Sequence, residues 1–327
     1  MTSRAGGLPK VLYIAGWARG GSTVVEQVVG QVEGWFPCGE INHVWHNFVC
    51  GCGVPVFECE FWDPILRETL ARHPPLDPDA VIALRNRALA QSPATLAAIA
   101  REGKRRADAD SSRSRYLSVL VDLYAAVARA TGARVLIDSS KAAADAYLLA
   151  ALTEIEFYVL HLVRDPRATA YSWSRKKAQS HDPPVYFGQL SPRQSSINWL
   201  RRHAVIELFV RPRQGARYMR MRYEDFAAHP RQAAQSICSF AGEPDAKLPF
   251  SGERQIRVDA NHTASGNPVR FARRELDIRL DDEWRTRMSA RRRLLATLPA
   301  APLMPRYGYP LLSGNGDDIA PARTAPD

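Results

Sequence analysis

Nowhere in the 327-residue sequence does an apolar run approach the ~20 residues of a membrane-spanning helix, so no membrane span is expected. The first residues, Met-Thr-Ser-Arg-Ala-Gly-Gly, have none of the apolar core of a signal peptide and lead straight into a strand-like run, which points to a cytoplasmic protein. Cysteine is scarce. Cys38, Cys50, Cys52, Cys59 and Cys238 are too few to staple a chain of this length, which excludes a disulfide scaffold. The net charge of +10 invites a nucleic-acid reading. Yet no RNP, zinc-finger or basic-zipper pattern is present, and the basic residues are dispersed along apparent helices. No nucleic-acid partner is expected, because an anionic small molecule accounts for local arginine clusters equally well. No internal repeat is visible.

At 46% apolar and 24% charged the chain reads as globular, and residues 10–30 organise it. Val11–Ala15 is a short β-rich run, Gly16–Gly21 a glycine loop, and Ser22–Gly30 carries Val24, Val25, Val28 and Val29 at helical spacing. Strand, glycine loop and helix form a phosphate cradle, with backbone N–H groups and the positive helix end facing one concavity. Against the pattern G-x-x-x-x-G-K-[ST], Gly16, Gly21 and Thr23 fit, while Ser22 stands at the lysine position. A cation returns earlier in the loop, as Arg19. The loop therefore suits an anion that is not handled as the Mg²⁺-bound triphosphate of an NTPase.

Further strand-like runs occur at 35–37, 134–138, 156–163 and 216–222, alternating with helical patterns. This alternation predicts an α/β fold with a central parallel sheet and helices on both faces. Residues 60–130 carry helical spacing without strand signals and read as an inserted cap or side layer. Residues 44–64 read as an irregular loop, 251–280 as mostly loop, and 281–297 as one amphipathic basic helix. One domain over 8–312 and a disordered tail over 313–327 are expected. Cys50, Cys52 and Cys59 lie just after His43 and His46, so a zinc site is arithmetically possible. C-x-C-x₆-C is not a standard paired spacing, and the segment reads as a packed turn with no metal.

In an open parallel sheet, ligands sit beyond the carboxyl ends of the strands. Those ends carry, in order, the glycine loop with Arg19, then Glu40, then Ser139-Ser140-Lys141, then Arg164. Asp165 and Pro166 are good N-cap and N1 residues. Ser172 follows about two turns on, with Arg175 and Lys176 on its face. Arg164, Ser172 and one of these cations form a candidate second anion site.

Ala18-Arg19-Gly-Gly-Ser-Thr23, Cys38-Gly-Glu40, Asp138-Ser-Ser-Lys141 and Leu162-Val-Arg164-Asp-Pro-Arg-Ala-Thr-Ala-Tyr-Ser172 together closely resemble the sulfotransferases. The likeness runs from about 10 to 310, is thin over 60–130, and is closest to the bacterial and tyrosylprotein/heparan-type branch. It implies a P-loop-NTPase-like three-layer fold and transfer of a sulfuryl group from 3′-phosphoadenosine 5′-phosphosulfate (PAPS) to a hydroxyl or amine, with no metal. Carried over, Arg19, Gly20, Gly21, Ser22 and Thr23 would bind the 5′-phosphosulfate. Arg164 and Ser172 would hold the 3′-phosphate. Glu40 would be the base, with His43 its rival. Lys141, with Arg19, would stabilise the transferring group. The segment His262–Arg270, with Gly266, Asn267 and Arg270, resembles a late loop that closes over the donor. Two alternatives are a P-loop-type small-molecule kinase and a non-enzymatic anion- or RNA-binding protein. The acceptor and the oligomeric state are not encoded in any motif.

Overall fold

The computed structural model describes residues 8–89, 111–175, 188–259, 261–266, 268–271 and 274–311. Five strands build the main sheet: β1 (Lys10–Gly16), β2 (Trp35–Gly39), β3 (Val135–Lys141), β4 (Glu156–Val163) and β5 (Tyr218–Arg222). All pairs are parallel, in the order β2-β3-β1-β4-β5. β1 is therefore central. The order turns there, with β3 on one side and β4 on the other, and such a switch point opens a crevice at the strand ends.

The sequence of β1 explains its place. Val11, Tyr13 and Ala15 enter one core and Leu12 and Ile14 the other, and all five are fully buried. A strand buried on both faces needs a continuous apolar run rather than alternation. On the first face lie α2 (Trp62–Ala71), α3 (Pro78–Ala88), α4 (Ser112–Thr131) and α5 (Ala143–Leu149), through residues such as Trp62, Leu84, Tyr124 and Ala146. The described helices of the 60–130 stretch are thus a side layer sharing a core with the sheet. On the second face lie α1 (Ser22–Val29) and α8 (Pro230–Phe240), through Val25, Val28 and Ile237. Between these come α6 (Pro166–Ser174) and α7 (Pro192–Val205), which pack with α9 (Ala290–Ala300) beside the end of β4.

The helix starts follow their capping chemistry. Asp165 accepts from the Arg167 amide at 2.8 Å ahead of Pro166, and Ser191 with Gln194 forms a capping box ahead of Pro192. Each such cap is worth about 1 kcal/mol. No helix among the described residues is long and apolar enough to cross a membrane.

Residues 251–280 are mostly loop, as expected, but also hold an antiparallel hairpin, β6 (Gln255–Val258) with β7 (Arg274–Asp277), whose Ile256 and Val258 complete the second core. Two expectations need correction. The basic helix expected over 281–297 is broken. A short turn at Trp284–Arg287 ends at extended Met288, and α9 begins at Ala290. Trp284 and Met288 are both buried in one cluster with Ala168 and Ala170 of α6 and Ala296 of α9, so both sides of the break pack on that helix. Finally, 44–64 is less irregular than expected, with 3₁₀ turns at Ile41–His46 and Val56–Glu58 and α2 starting at Trp62. Residues 90–110 of the stretch expected to be helical, and the tail from 313, lie outside the described residues.

Candidate active site

The glycine loop leaves β1 at Gly16 and enters α1 through Gly21, which has φ +95° and caps the helix with no side-chain bond. A Cβ on Gly21 would sit 2.1 Å from the Tyr223 ring, so the left-handed turn and the tight ring contact both require glycine. Gly20 closes the loop by donating to the Trp17 carbonyl at 3.1 Å. Ser22 and Thr23 begin α1. Arg19 also has positive φ, +68°, and its guanidinium lies over the Trp173 ring, 5.3 Å from the centroid. Burial and then repulsion from Arg175 lower the Arg19 pKa from its ordinary value, while Glu40 opposes that shift. Arg19, Glu40 and Arg175, which follow the ends of β1, β2 and α6, are thus close enough to act on one another.

Glu40 follows β2 and opens the Ile41–His46 turn. Its Oε1 is 2.7 Å from Lys141 Nζ and its Oε2 is 3.8 Å from His43 Nε2. Lys141, at φ +65°, also donates to the Ser139 carbonyl at 2.8 Å. Base and cation, assigned separately from the sequence, are therefore partners in one ion pair, with side chains only 16% and 13% exposed. His43 is pushed toward its neutral form, chiefly by burial.

The glycine of Cys38-Gly39-Glu40 has its own reason. Gly39 has φ +79°, and a Cβ there would be 2.5 Å from the Ala264 amide nitrogen. The late loop lies directly on it, with Ala264 N donating to the Cys38 carbonyl at 2.8 Å. That loop brings Gly266 to a point where a Cβ would be 3.7 Å from Glu40 Oε1, 3.8 Å from Thr23 Oγ1 and 3.8 Å from Arg270 Nη1. Arg270 is turned inward, donating to the Gly266 carbonyl and, at 2.7 Å, to the Val49 carbonyl. Burial lowers its pKa. Asn267 lies outside the described residues.

Arg164 ends β4 and is buried. It donates to the Arg19 carbonyl at 3.2 Å and to the Asp281 carbonyl at 2.9 Å, and its guanidinium covers the Tyr223 ring at 5.0 Å. Its Nε is buried without a hydrogen-bond partner among the described residues. Ser172 is buried on α6, and Arg175 follows the helix end, paired to Asp281 at 3.1 Å and Glu283 at 3.0 Å. Lys176 lies outside the described residues. The acidic partners Asp281 and Glu283 were not anticipated, because they belong to a segment read as helix.

The sequence reading also passed over Glu26. This buried carboxylate on α1 accepts from the Gly39 amide and the Ser139 hydroxyl, both at 2.7 Å, and so ties the loop helix to the ends of β2 and β3. Burial raises its pKa to about 7. Asp138 is raised by burial to about 6 and binds Tyr124 and Ser140. Ser140 Oγ in turn accepts from the Asn42 amide at 3.1 Å, anchoring the Glu40 turn. An acidic residue on the buried side of a P-loop helix was the available signal for Glu26. The three clustered cysteines meet His262, and not His43 or His46.

Comparison with solved structures supports the architecture. A sulfotransferase domain from the Synechococcus PCC 7002 olefin synthase is 20% identical with a TM-score of 0.52, covering 94% of this chain and 98% of that one. A sulfotransferase domain from the curacin biosynthetic pathway is 18% identical with a TM-score of 0.51, covering 94% and 100%. At these identities the likeness is one of fold. No curated protein matches significantly. The family comparison matches residues 10–247, from the start of β1 to beyond α8, and on that match the chain belongs to the sulfotransferase family.

Proposed function

We propose that this protein transfers a sulfuryl group from PAPS to a hydroxyl or amine acceptor. The observation that carries the reading is the Glu40–Lys141 ion pair, seated where the glycine loop, the end of β3 and the late loop meet. The residues suit a doubly anionic donor. One anion matches the glycine loop, whose helix start has no side-chain cap. The other matches buried Arg164, with its orphaned Nε, and Ser172 on α6.

The donor, when bound, supplies an activated sulfuryl group on an anhydride bond. This chain's residues do the rest. Loop amides, Ser22 and Thr23 orient the 5′ end, and Gly266 with Arg270 covers it. Glu40 takes the acceptor proton, since a neutral hydroxyl is a poor nucleophile. Lys141 and Arg19 offset negative charge on the reacting oxygens, the electrostatic role that dominates such transfers. A sulfuryl group carries less charge than a γ-phosphate, which fits a loop with serine at the lysine position.

The acceptor surface falls to the His43, His46 and Phe48 cluster beside Glu40 and to the side layer. The test is to titrate the protein with adenosine 3′,5′-bisphosphate and with AMP, and to assay labelled PAPS against phenols, sugars, lipids and peptides. Preference for the bisphosphate and label transfer are expected. Equal affinities together with Mg²⁺-dependent ATP turnover would replace this reading with a kinase.

A further inference from the structure

Cys50, Cys52, Cys59 and His262 converge to within 4.8 Å of one another, although Cys59 and His262 are 203 positions apart. We propose that these four residues form a tetrahedral zinc site that pins the late loop to the segment around Cys50. Their separations carry the proposal. A Cys₃His zinc tetrahedron, with Zn–S of about 2.3 Å and Zn–N of about 2.0–2.1 Å, has S···S edges of about 3.8 Å and S···N edges of about 3.5 Å. Here Cys59 Sγ lies 3.7 Å from Cys50 Sγ and 3.6 Å from Cys52 Sγ, and His262 Nδ1 lies 3.3 Å from Cys59 Sγ and 3.8 Å from Cys50 Sγ. These sulfur separations are non-bonded, far from the about 2.05 Å of a disulfide. Three thiolates and one imidazole select zinc over the oxygen-seeking Mg²⁺ and Ca²⁺, and four protein ligands make a closed, structural site.

The surroundings are built for the cluster. Cys50 and Cys59 are buried, and Cys52 and His262 are half-buried. Gly53 N donates to the Cys50 carbonyl at 2.9 Å and Cys50 N to the Val54 carbonyl at 2.7 Å, which curls the first two cysteines into a turn. Gly51 between them must be glycine, since a Cβ there would be 2.3 Å from Asn261 Oδ1. His262 is held at its ring and at its backbone. Phe61 stacks on it at 5.0 Å, and Trp62 Nε1 donates to its carbonyl at 2.5 Å.

Binding is not redox chemistry. Three thiol protons leave for solvent, three Zn–S bonds and one Zn–N bond form, and the site carries a net charge of −1. Arg270, anchored on Val49 next to Cys50, provides the nearby counter-charge. The consequence for donor binding rests on the function proposed above, because the pinned loop carries Gly266 and Arg270. The metal site itself does not depend on it.

The full-length protein, purified without chelator, is expected to hold one zinc per chain. Co²⁺ added to the stripped protein should give an intense thiolate charge-transfer band in the near ultraviolet and tetrahedral d–d bands in the red. Cys59→Ser should abolish both. His262→Cys should keep a tetrahedral spectrum with a stronger charge-transfer band, and that rescue separates ligation from simple misfolding. Both readouts are independent of sulfuryl transfer. Less than about a tenth of a zinc per chain, with identical Co²⁺ spectra for wild type and Cys59→Ser, would overturn the proposal. So would an intact mass two hydrogens lighter, marking a disulfide.

Discussion

Replacing Glu40 by glutamine tests the proposed mechanism at its centre. The amide keeps the side-chain shape and an oxygen facing Lys141 Nζ, now 2.7 Å from Oε1, but it cannot take a proton. A positioned base gives about 10²–10⁴-fold, which at 1.36 kcal/mol per decade is about 2.7–5.5 kcal/mol of barrier. The stability cost is smaller. Lys141 retains its bond to the Ser139 carbonyl at 2.8 Å, so the loss is one charge-assisted contact, about 1.5–3 kcal/mol at most. Initial rates with a confirmed acceptor should therefore show kcat down by two to four decades. Affinity for adenosine 3′,5′-bisphosphate, measured by calorimetry, should stay within a few-fold, because Arg164 and Ser172 are untouched. His43 is the internal control. Its Nε2 is 3.8 Å from the other Glu40 oxygen, and burial keeps it neutral, so it too is able to accept a proton. His43→Gln should leave kcat within a few-fold. Near-normal turnover in Glu40→Gln with loss in His43→Gln would refute the assignment of the base.

Arg164→Ala should weaken bisphosphate binding by about 10–150-fold, the equivalent of about 1.5–3 kcal/mol, and leave AMP almost unaffected; calorimetry on both nucleotides decides it. Glu26 binds its proton near pH 7 when folded, against 4.5 as an ordinary carboxyl. The folded state holds more protons than the unfolded between those values, so stability falls as pH rises through that window, by on the order of 3 kcal/mol. Glu26→Gln should flatten that loss and be more stable than wild type at pH 8, as read from urea midpoints at pH 5 and pH 8; no gain at pH 8 would contradict it. Gly39→Ala should cost about 1–2 kcal/mol for its left-handed conformation alone, and more for the overlap with Ala264, lowering the urea midpoint and the bisphosphate affinity together. Turnover measured with and without added Mg²⁺ should be equal, and a strict requirement would favour the kinase alternative.

The parts of this site that were legible in the sequence are those encoded locally. All five strands of the main sheet, the glycine loop and the capped start of α6 announce themselves within about ten residues, through apolar runs and turn chemistry. What escaped depends on distant partners. The hairpin strands Gln255–Val258 and Arg274–Asp277 are four residues each, and only their mutual pairing and the second core reveal them. Cys50, Cys52 and Cys59 have no standard ligand spacing until His262 arrives from the late loop. Glu40 and Lys141 were each assigned a role, but their direct contact follows from β2 lying beside β3, which no spacing states. Arg270 looked like a residue pointing at the donor, and its bonds to Gly266 and Val49 make it also a clasp for the loop.

The central place of β1 also sets when the protein can acquire its shape. Lys10 pairs with Val135 on one side and Glu156 on the other, 125 and 146 positions downstream by subtraction. β1 is made before the other four strands of its sheet, yet among the described residues it has no ladder partner until more than a third of the 327 residues have followed. Such long-range pairing makes folding slow and leaves an apolar strand uncovered during synthesis. The glycine loop inherits this delay, because both edges of its strand are paired to neighbours made much later. A nascent chain stopped before residue 135 carries every residue of the loop and neither of the strands, β3 and β4, that flank β1.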